Sequence, residues 1–310
     1  MTGRIGVIGS NMTDLITYGP RLPRAGETLE AARFAVGRGG KGANQAVAAA
    51  RLGARVAMVG RVGADDFGRE TLRSLQSDGV DVTHVLATPG ATTGVAPIFV
   101  AANGENSILI VKGANGLVSP KDVEAAADLL LSCDLILLQL EIPLETVYAT
   151  IDWAHRCGRR VLLNPAPATE ALAVERIASV DYFVPNQSEL AILTNLPTET
   201  AAEAEAAARH LLDRGMKEII VTLGGDGVLL VQPDRTLHIP AVPVEATDTT
   251  GAGDAFIGAF AFHLTSGHAL EAALCRAAAY AALSVTRPGT QTSFAGADEF
   301  RGYLNATVEN

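Results

Sequence analysis

The stretch Asp248-Thr-Thr-Gly-Ala-Gly-Asp-Ala-Phe-Ile-Gly-Ala-Phe-Ala-Phe262 constrains the fold more than any other part of the chain. It reads as a helix whose first turn is almost bare of side chains. Gly251, Ala252 and Gly253 leave the first backbone N–H groups unobstructed, and from Phe256 apolar residues recur at helical spacing, which anchors the helix in a core. Unpaired N–H groups and the positive end of the helix dipole then point at one spot, an anion site. Asp254 stands where an incoming phosphate belongs. A carboxylate there repels a resting phosphate but can take a proton from a hydroxyl beside it, which points to phosphoryl transfer to an alcohol. The plain alternative is an ordinary helix start capped by Asp248 or Thr249, which needs only one glycine.

The rest of the chain agrees with an enzyme. Its 310 residues suffice for one large α/β domain with a smaller excursion. No apolar run approaches the roughly 18 residues of a membrane span, and the N-terminus, with Arg4 in a strand-like segment, does not read as a signal peptide. A cytoplasmic protein with no membrane partner is expected. A net charge of −10 argues against nucleic acid, so any phosphate must be held locally. Cys133, Cys157 and Cys275 are too few and too widely spaced for a disulfide framework or a metal site, and are expected as buried thiols.

Residues 4–10 form an apolar run that reads as a buried first strand, with Met12 and Asp14 just beyond it, where ligands collect in open α/β sheets. Residues 15–40 and 92–112 break this rhythm into short β segments, the second with Asn103-Gly104 as a hairpin turn. Both patches are expected to join in one small, largely antiparallel sheet, either a lid over the site or an edge ornament. The main domain then comprises 1–14, 41–91 and 113–310. Gly37, Gly39 and Gly42 satisfy a dinucleotide G-x-G-x-x-G pattern, with Asp65 about twenty residues on. A polyol gripped by Asp14, Lys41 and Asn44 suits these residue types better, with the glycines allowing close approach. A helix is expected over 120–131. Glu141 and Asn164 end two buried strands, and together with Asp14 they outline a ligand crevice. Asn186 and Glu189, three apart at a helix start, either order water around magnesium or form a capping box. Thr222-Leu-Gly-Gly-Asp-Gly227 suits the phosphates or ribose of a nucleotide, or else a tight hairpin. The bare loop Arg287–Ser293 suggests that its carbonyls are used.

With Gly39-Gly-Lys-Gly-Ala-Asn-Gln45, Asn164-Pro-Ala-Pro167, Pro185-Asn186 and Asp248–Asp254 in this order, the chain resembles the ribokinase (PfkB-type) family of carbohydrate kinases over essentially its whole length. The resemblance implies a ribokinase-like α/β fold, a mostly parallel sheet flanked by helices with a small β-sheet lid, and homodimers built through the lid sheets. It implies ATP, Mg2+ and K+ as cofactors. Asp254 would be the base, with Gly251, Ala252 and Gly253 as the anion hole. Asp14, Gly40, Lys41, Asn44, Glu141 and Asp254 would hold the sugar. Asn186, Thr222, Gly224, Gly225, Asp226, Gly227 and Gly253 would line the ATP side, with Glu189 near magnesium through water. Asp248, Thr250, Ser284, Arg287, Gly289 and Ser293 would hold potassium, mostly through carbonyls.

Two residues depart from the family pattern. Gln187 replaces a glutamate that commonly follows the asparagine, while Asn186 and Glu189 remain. Met12 stands where many bacterial ribokinases carry an asparagine that bonds the sugar. A thioether cannot satisfy a buried hydroxyl but packs well on a methylene. Met12, Leu15-Ile-Thr-Tyr18 and Val95-Ala-Pro-Ile-Phe-Val100 are similar to the deoxyribokinase branch, which implies 2-deoxy-D-ribose as the favoured substrate and D-ribose as the alternative.

Overall fold

Apolar runs that look uniform in the sequence divide by alternation between two cores. In Leu135-Ile-Leu-Leu138, Leu135 and Leu137 join one buried cluster, whereas Ile136 and Leu138 join the other. A strand covered on both faces must do this, because its side chains alternate. The computed structural model describes residues 3–103 and 105–308. In chain order these form β1 (Arg4–Ile8), β2 (Met12–Gly19), β3 (Arg33–Gly39), α1 (Lys41–Arg51), β4 (Arg55–Gly63), α2 (Asp66–Ser77), β5 (Asp81–Thr88), β6 (Gly94–Ala101) and β7 (Asn106–Ile108). There follow α3 (Pro120–Ala125), α4 (Ala127–Leu131), β8 (Leu135–Leu138), α5 (Leu144–Arg156), β9 (Arg160–Leu163), α6 (Val174–Ile177), β10 (Tyr182–Phe183), α7 (Gln187–Thr194) and α8 (Ala201–Leu212). The last third holds β11 (Ile219–Thr222), β12 (Val228–Val231), β13 (Thr236–Ile239), α9 (Ala252–Thr265), α10 (Leu270–Ser284) and α11 (Ala297–Val308).

The large sheet runs β13-β12-β11-β10-β9-β8-β1-β4-β5. Pairing is parallel from β11 through β1 to β5, and β12 and β13 close one edge antiparallel. Helices α1, α9 and α10 contribute to the core on one face, α5 and α8 to the core on the other. At the α1–α9 contact a Cβ on Gly258 would come within 2.6 Å of both Ala48 Cβ and the Gln45 carbonyl oxygen. That glycine sets how closely the start of α1 approaches Asp254.

The two irregular patches do join, as the four-stranded sheet β3-β2-β6-β7. Its β3–β2 and β6–β7 pairs are antiparallel, but β2 and β6 run parallel, from Met12 opposite Gly94 to Gly19 opposite Ala101. β2 begins at Met12, ahead of the boundary expected at residue 15, because the chain turns at Gly9–Asn11 and passes directly from one sheet to the other. Gly104 of the expected hairpin turn lies outside the described residues. The helix expected over 120–131 is two short helices with a break at Ala126 (φ −98°, ψ 7°). Of the three cysteines only Cys133 is buried; Cys157 is half-buried and Cys275 exposed, since α10 turns that position outward.

Candidate active site

Helix α9 begins as its composition requires. Its N-cap is Gly251, in the left-handed region at φ 78°, and not Asp248 or Thr249. A Cβ at Gly251 would lie 2.4 Å from Thr290 Cγ2, so glycine is needed both for the backbone and for the approach of the loop after α10. A Cβ at Gly253 would meet nothing within 4 Å, which leaves open space over the helix start. The Ala252 N–H donates to the Thr249 carbonyl at 3.2 Å. Among the described residues no such bond occupies the N–H of Gly251 or Gly253.

That open space is one side of a cavity of about 740 Å³, within the range of cofactor sites. Gly253, Ala252 and Thr249 line it together with Asn186, Thr222, Gly224, Gly225 and Gly227, and Val242, Val244, Ala278, Ala282 and Val285 supply apolar walls. Asn186 and Thr222 are neighbours through a β-bridge, and residues 224–226 form a tight 3-10 turn between antiparallel β11 and β12. The hairpin and the glycine-rich lining are therefore the same residues. Asp226 is exposed, does not line the cavity, and offers its carbonyl to the His238 ring at 2.7 Å.

Asp254, 7% exposed, lies behind the helix start. Its Oδ2 accepts from Asn44 Nδ2 and its Oδ1 from Gln45 Nε2, both at 2.9 Å. Gln291 Nε2 in turn donates to Asn44 Oδ1 at 2.9 Å. At the end of the large sheet, Glu141 Oε2 accepts from the Ser10 hydroxyl and, at 2.8 Å, from the Lys41 N–H. The glycines before α1 are needed for the packing of this corner: a Cβ at Gly40 (φ 91°) would lie 2.8 Å from the Met12 nitrogen, and one at Gly39 would lie 2.4 Å from Asp14 Oδ1. Burial, then the charges of Glu141 and Asp254, pushes Asp14 up to about 6. Burial works against the Lys41 ammonium, but Asp254, Glu141 and Glu189 more than offset it and raise it above the ordinary lysine value. Met12 is 3% exposed and opposite Gly39 and Gly94.

Asn186 and Glu189 form the capping box of α7: Asn186 Oδ1 accepts from the Glu189 N–H and Glu189 Oε2 from the Asn186 N–H, both at 2.8 Å. Burial raises Glu189 above the usual carboxylate range, against the pull of the Asn186 N–H and Lys41. Asp248 joins two loops, accepting from Thr250 N–H at 2.9 Å and Gly289 N–H at 2.8 Å. Burial would raise it, but the Thr250 hydroxyl and these two N–H groups hold it below the usual range. The Ser284 and Ser293 hydroxyls donate to the carbonyls of Ala281 and Thr290, and Arg287 pairs with Glu299. The dinucleotide reading fails here. Asp65 caps α2 and is used up on Gly68 N–H, Thr93 N–H and the Thr93 hydroxyl, while Gly37 and Gly39 belong to the small sheet.

Comparison with known proteins gives the family. Residues 3–295 match the model of the pfkB family carbohydrate kinases. The chain belongs to that family. Among its members, the deoxyribokinase of Salmonella typhi is 52% identical over 301 residues, covering 97% of this chain and 98% of that one. The ribokinase of Mus musculus is 40% identical over 292 residues, covering 93% and 90%. Ribokinase from Arabidopsis thaliana, solved with ribose and ATP, superposes with a TM-score of 0.90 at 32% identity, covering 98% and 99%. The Thermotoga maritima ribokinase does so with a TM-score of 0.88 at 36% identity, over the same shares. This pfkB kinase thus has the ribokinase-like α/β fold. Its sequence did not expose the roles of Ser10, Gln45, Gln139 and Gln291. The available signal was a glutamine, Gln45, amid the alanines of α1 and 0% exposed. Asn164, expected at the crevice, donates to the Val184 carbonyl at 2.9 Å and accepts from Gln45 at 3.2 Å.

Proposed function

We propose that this pfkB kinase transfers the γ-phosphoryl group of ATP to O5 of a pentose, with 2-deoxy-D-ribose preferred over D-ribose. The observation that carries the reading is the position of Asp254. It is a buried carboxylate between the 740 Å³ cavity that ends at Gly253 and the polar corner of Asp14, Lys41, Asn44 and Glu141. ATP would lie with its base between Val242, Val244, Ala278, Ala282 and Val285, and its phosphates over Thr222, Gly224, Gly225, Gly227, Asn186 and Gly253. The free N–H groups of Gly251 and Gly253 suit the charge on the transferring phosphoryl oxygens, with Ala252 joining them if its turn bond opens. Asp254 would take the proton of the attacking hydroxyl as the new O–P bond forms and ADP departs. Asp14 and Glu141 would accept from other sugar hydroxyls, and Lys41 keeps this cluster of carboxylates tolerable.

The residues present suit the two cations of the family. Glu189 has one oxygen committed to Asn186 N–H, leaving the other for a water of a hydrated magnesium ion. The oxygen-only set of Asp248, Thr250, Ser284, Arg287, Gly289 and Ser293, with Arg287 contributing its carbonyl, suits potassium behind the anion site. Magnesium would neutralise phosphate charge, and potassium would add positive field at the loop. The small sheet would act as the lid. Phe34 and Leu109, 60% and 65% exposed, support pairing of two such sheets in a homodimer; a monomeric mass in solution would contradict that. No described helix is long and apolar enough to cross a membrane, and unpaired cysteines support a cytoplasmic location.

The preference for deoxyribose rests on Met12, and on the deoxyribokinase of Salmonella typhi as a relative. A buried thioether beside C2 leaves a ribose hydroxyl without a partner, at a cost of about 1–3 kcal/mol, or roughly 5- to 150-fold in kcat/KM. ADP release measured side by side with both sugars should favour deoxyribose, and Met12→Asn should move the ratio toward ribose by at least about fivefold. An unmoved ratio refutes the role of Met12.

A further inference from the structure

One oxygen of the Asp254 carboxylate is held by an ordered series of buried amides. Val184, at the end of the β10 strand, offers a main-chain carbonyl, which can only accept. Asn164 must therefore turn its NH2 to it, at 2.9 Å, which leaves Asn164 Oδ1 facing Gln45. Gln45 must in turn present its NH2, which donates at 3.2 Å to Asn164 Oδ1 and at 2.9 Å to Asp254 Oδ1. Its remaining Oε1 accepts from Gln139 Nε2 at 2.6 Å. Gln139 Oε1 is then the one atom of the series left without a partner among the described residues. If Gln45 were reversed, three acceptor oxygens would face one another without a proton, in a place where Gln45 and Gln139 are 0% exposed.

We propose that Gln45 is a positioning residue for the phosphoryl transfer: its amide, with its direction fixed through Asn164 by the Val184 carbonyl, holds the Asp254 carboxylate in one orientation. This rests on Asp254 being the base. Asn44 does the same for Oδ2, but it also borders the sugar corner, whereas Gln45 acts only through Asp254. With one oxygen pinned by each amide, the carboxylate cannot rotate about its Cβ–Cγ bond, and the direction left to the hydroxyl proton is fixed. Lys41, Asp14 and Glu189 are the charged groups coupled to Asp254 on its other sides.

The test uses Gln45→Met, which keeps the volume and removes the donor, and Asn164→Leu, which frees the Gln45 amide without touching Asp254. ADP release gives kcat, and calorimetry gives the stoichiometry and Kd of sugar binding. Misdirecting a reacting group by about an ångström costs on the order of 10²-fold. Gln45→Met should therefore lose about 10- to 100-fold in kcat, and Asn164→Leu about 3- to 10-fold, with full sugar stoichiometry and Kd within about threefold. Wild-type kcat in whichever variant folds overturns the proposal. So does a parallel loss of kcat and sugar binding, which is what general damage to the site produces. If the wild-type enzyme itself releases no ADP with any pentose, the assignment of function fails instead.

Discussion

At the residue scale, the site is an economy of carboxylates. Glu141, Asp254 and Glu189 act on the half-buried Lys41 ammonium, whereas Asp14, with burial and the charges of Glu141 and Asp254 against it, is pushed up to about 6. A carboxyl whose folded value exceeds its unfolded value, 3.8, favours the folded state fully below pH 3.8 and loses that contribution as pH rises through about 6. In the sugar-free enzyme at pH 8, the Asp14 carboxylate is therefore a liability, of no more than ~3 kcal/mol and less after screening by solvent. Asp14→Asn should raise the sugar-free Tm at pH 8, and the gain should vanish toward pH 4, while kcat/KM falls for want of an acceptor. Thermal melts across this pH range check the sign; a lower Tm at pH 8 would contradict the role of burial. Residues at active sites are often poor choices for stability, and Asp14 is one of them.

At the element scale, α9 and α1 hold Asp254 against Asn44 and Gln45. Gly258 lets their backbones meet, and Gly258→Ala would put a Cβ 2.6 Å from the Gln45 carbonyl oxygen. The helices must separate, at about 1–3 kcal/mol and several degrees of Tm. Because α1 carries Asn44 and Gln45, kcat should fall too; a variant that melts lower with unchanged kcat would show that the spacing serves packing alone. What the sequence revealed and hid follows the same division. The bare start of α9 was legible because Gly251, Ala252 and Gly253 have no purpose in an ordinary helix. The parallel β-strands were legible because Leu135–Leu138 is apolar at every position. The direction of pairing between β2 and β6 was not, since both patches alternate alike whichever way they run. Nor was the function of Gly39 and Gly40 against Asp14 and Met12, which depends on a close approach between segments that the sequence cannot show. Asn164 stood at a strand end as a ligand would, and only the geometry shows its amide turned inward to Val184 and Gln45.

At the scale of the whole molecule, the chain passes from the large sheet to the small one through Gly9–Asn11, and on the proposed function that junction puts the sugar corner near the nucleotide cavity. The large sheet supplies Glu141, Asn186 and Thr222 from strand ends, and the small sheet supplies Met12 and Asp14. Asp254 follows Gly253 of the cavity lining and is hydrogen-bonded to Asn44 and Gln45 of α1. The account therefore stands or falls on a single comparison: wild-type and Asp254→Asn enzymes, each given ATP and 2-deoxy-D-ribose, with ADP release followed in time and the product's phosphate position read by phosphorus NMR. The expected result is phosphate on O5 with the wild-type enzyme, and a kcat lower by about 10²- to 10⁴-fold in the variant with sugar Kd nearly unchanged. Turnover in Asp254→Asn equal to that of the wild type, or phosphate on any other oxygen, would contradict it.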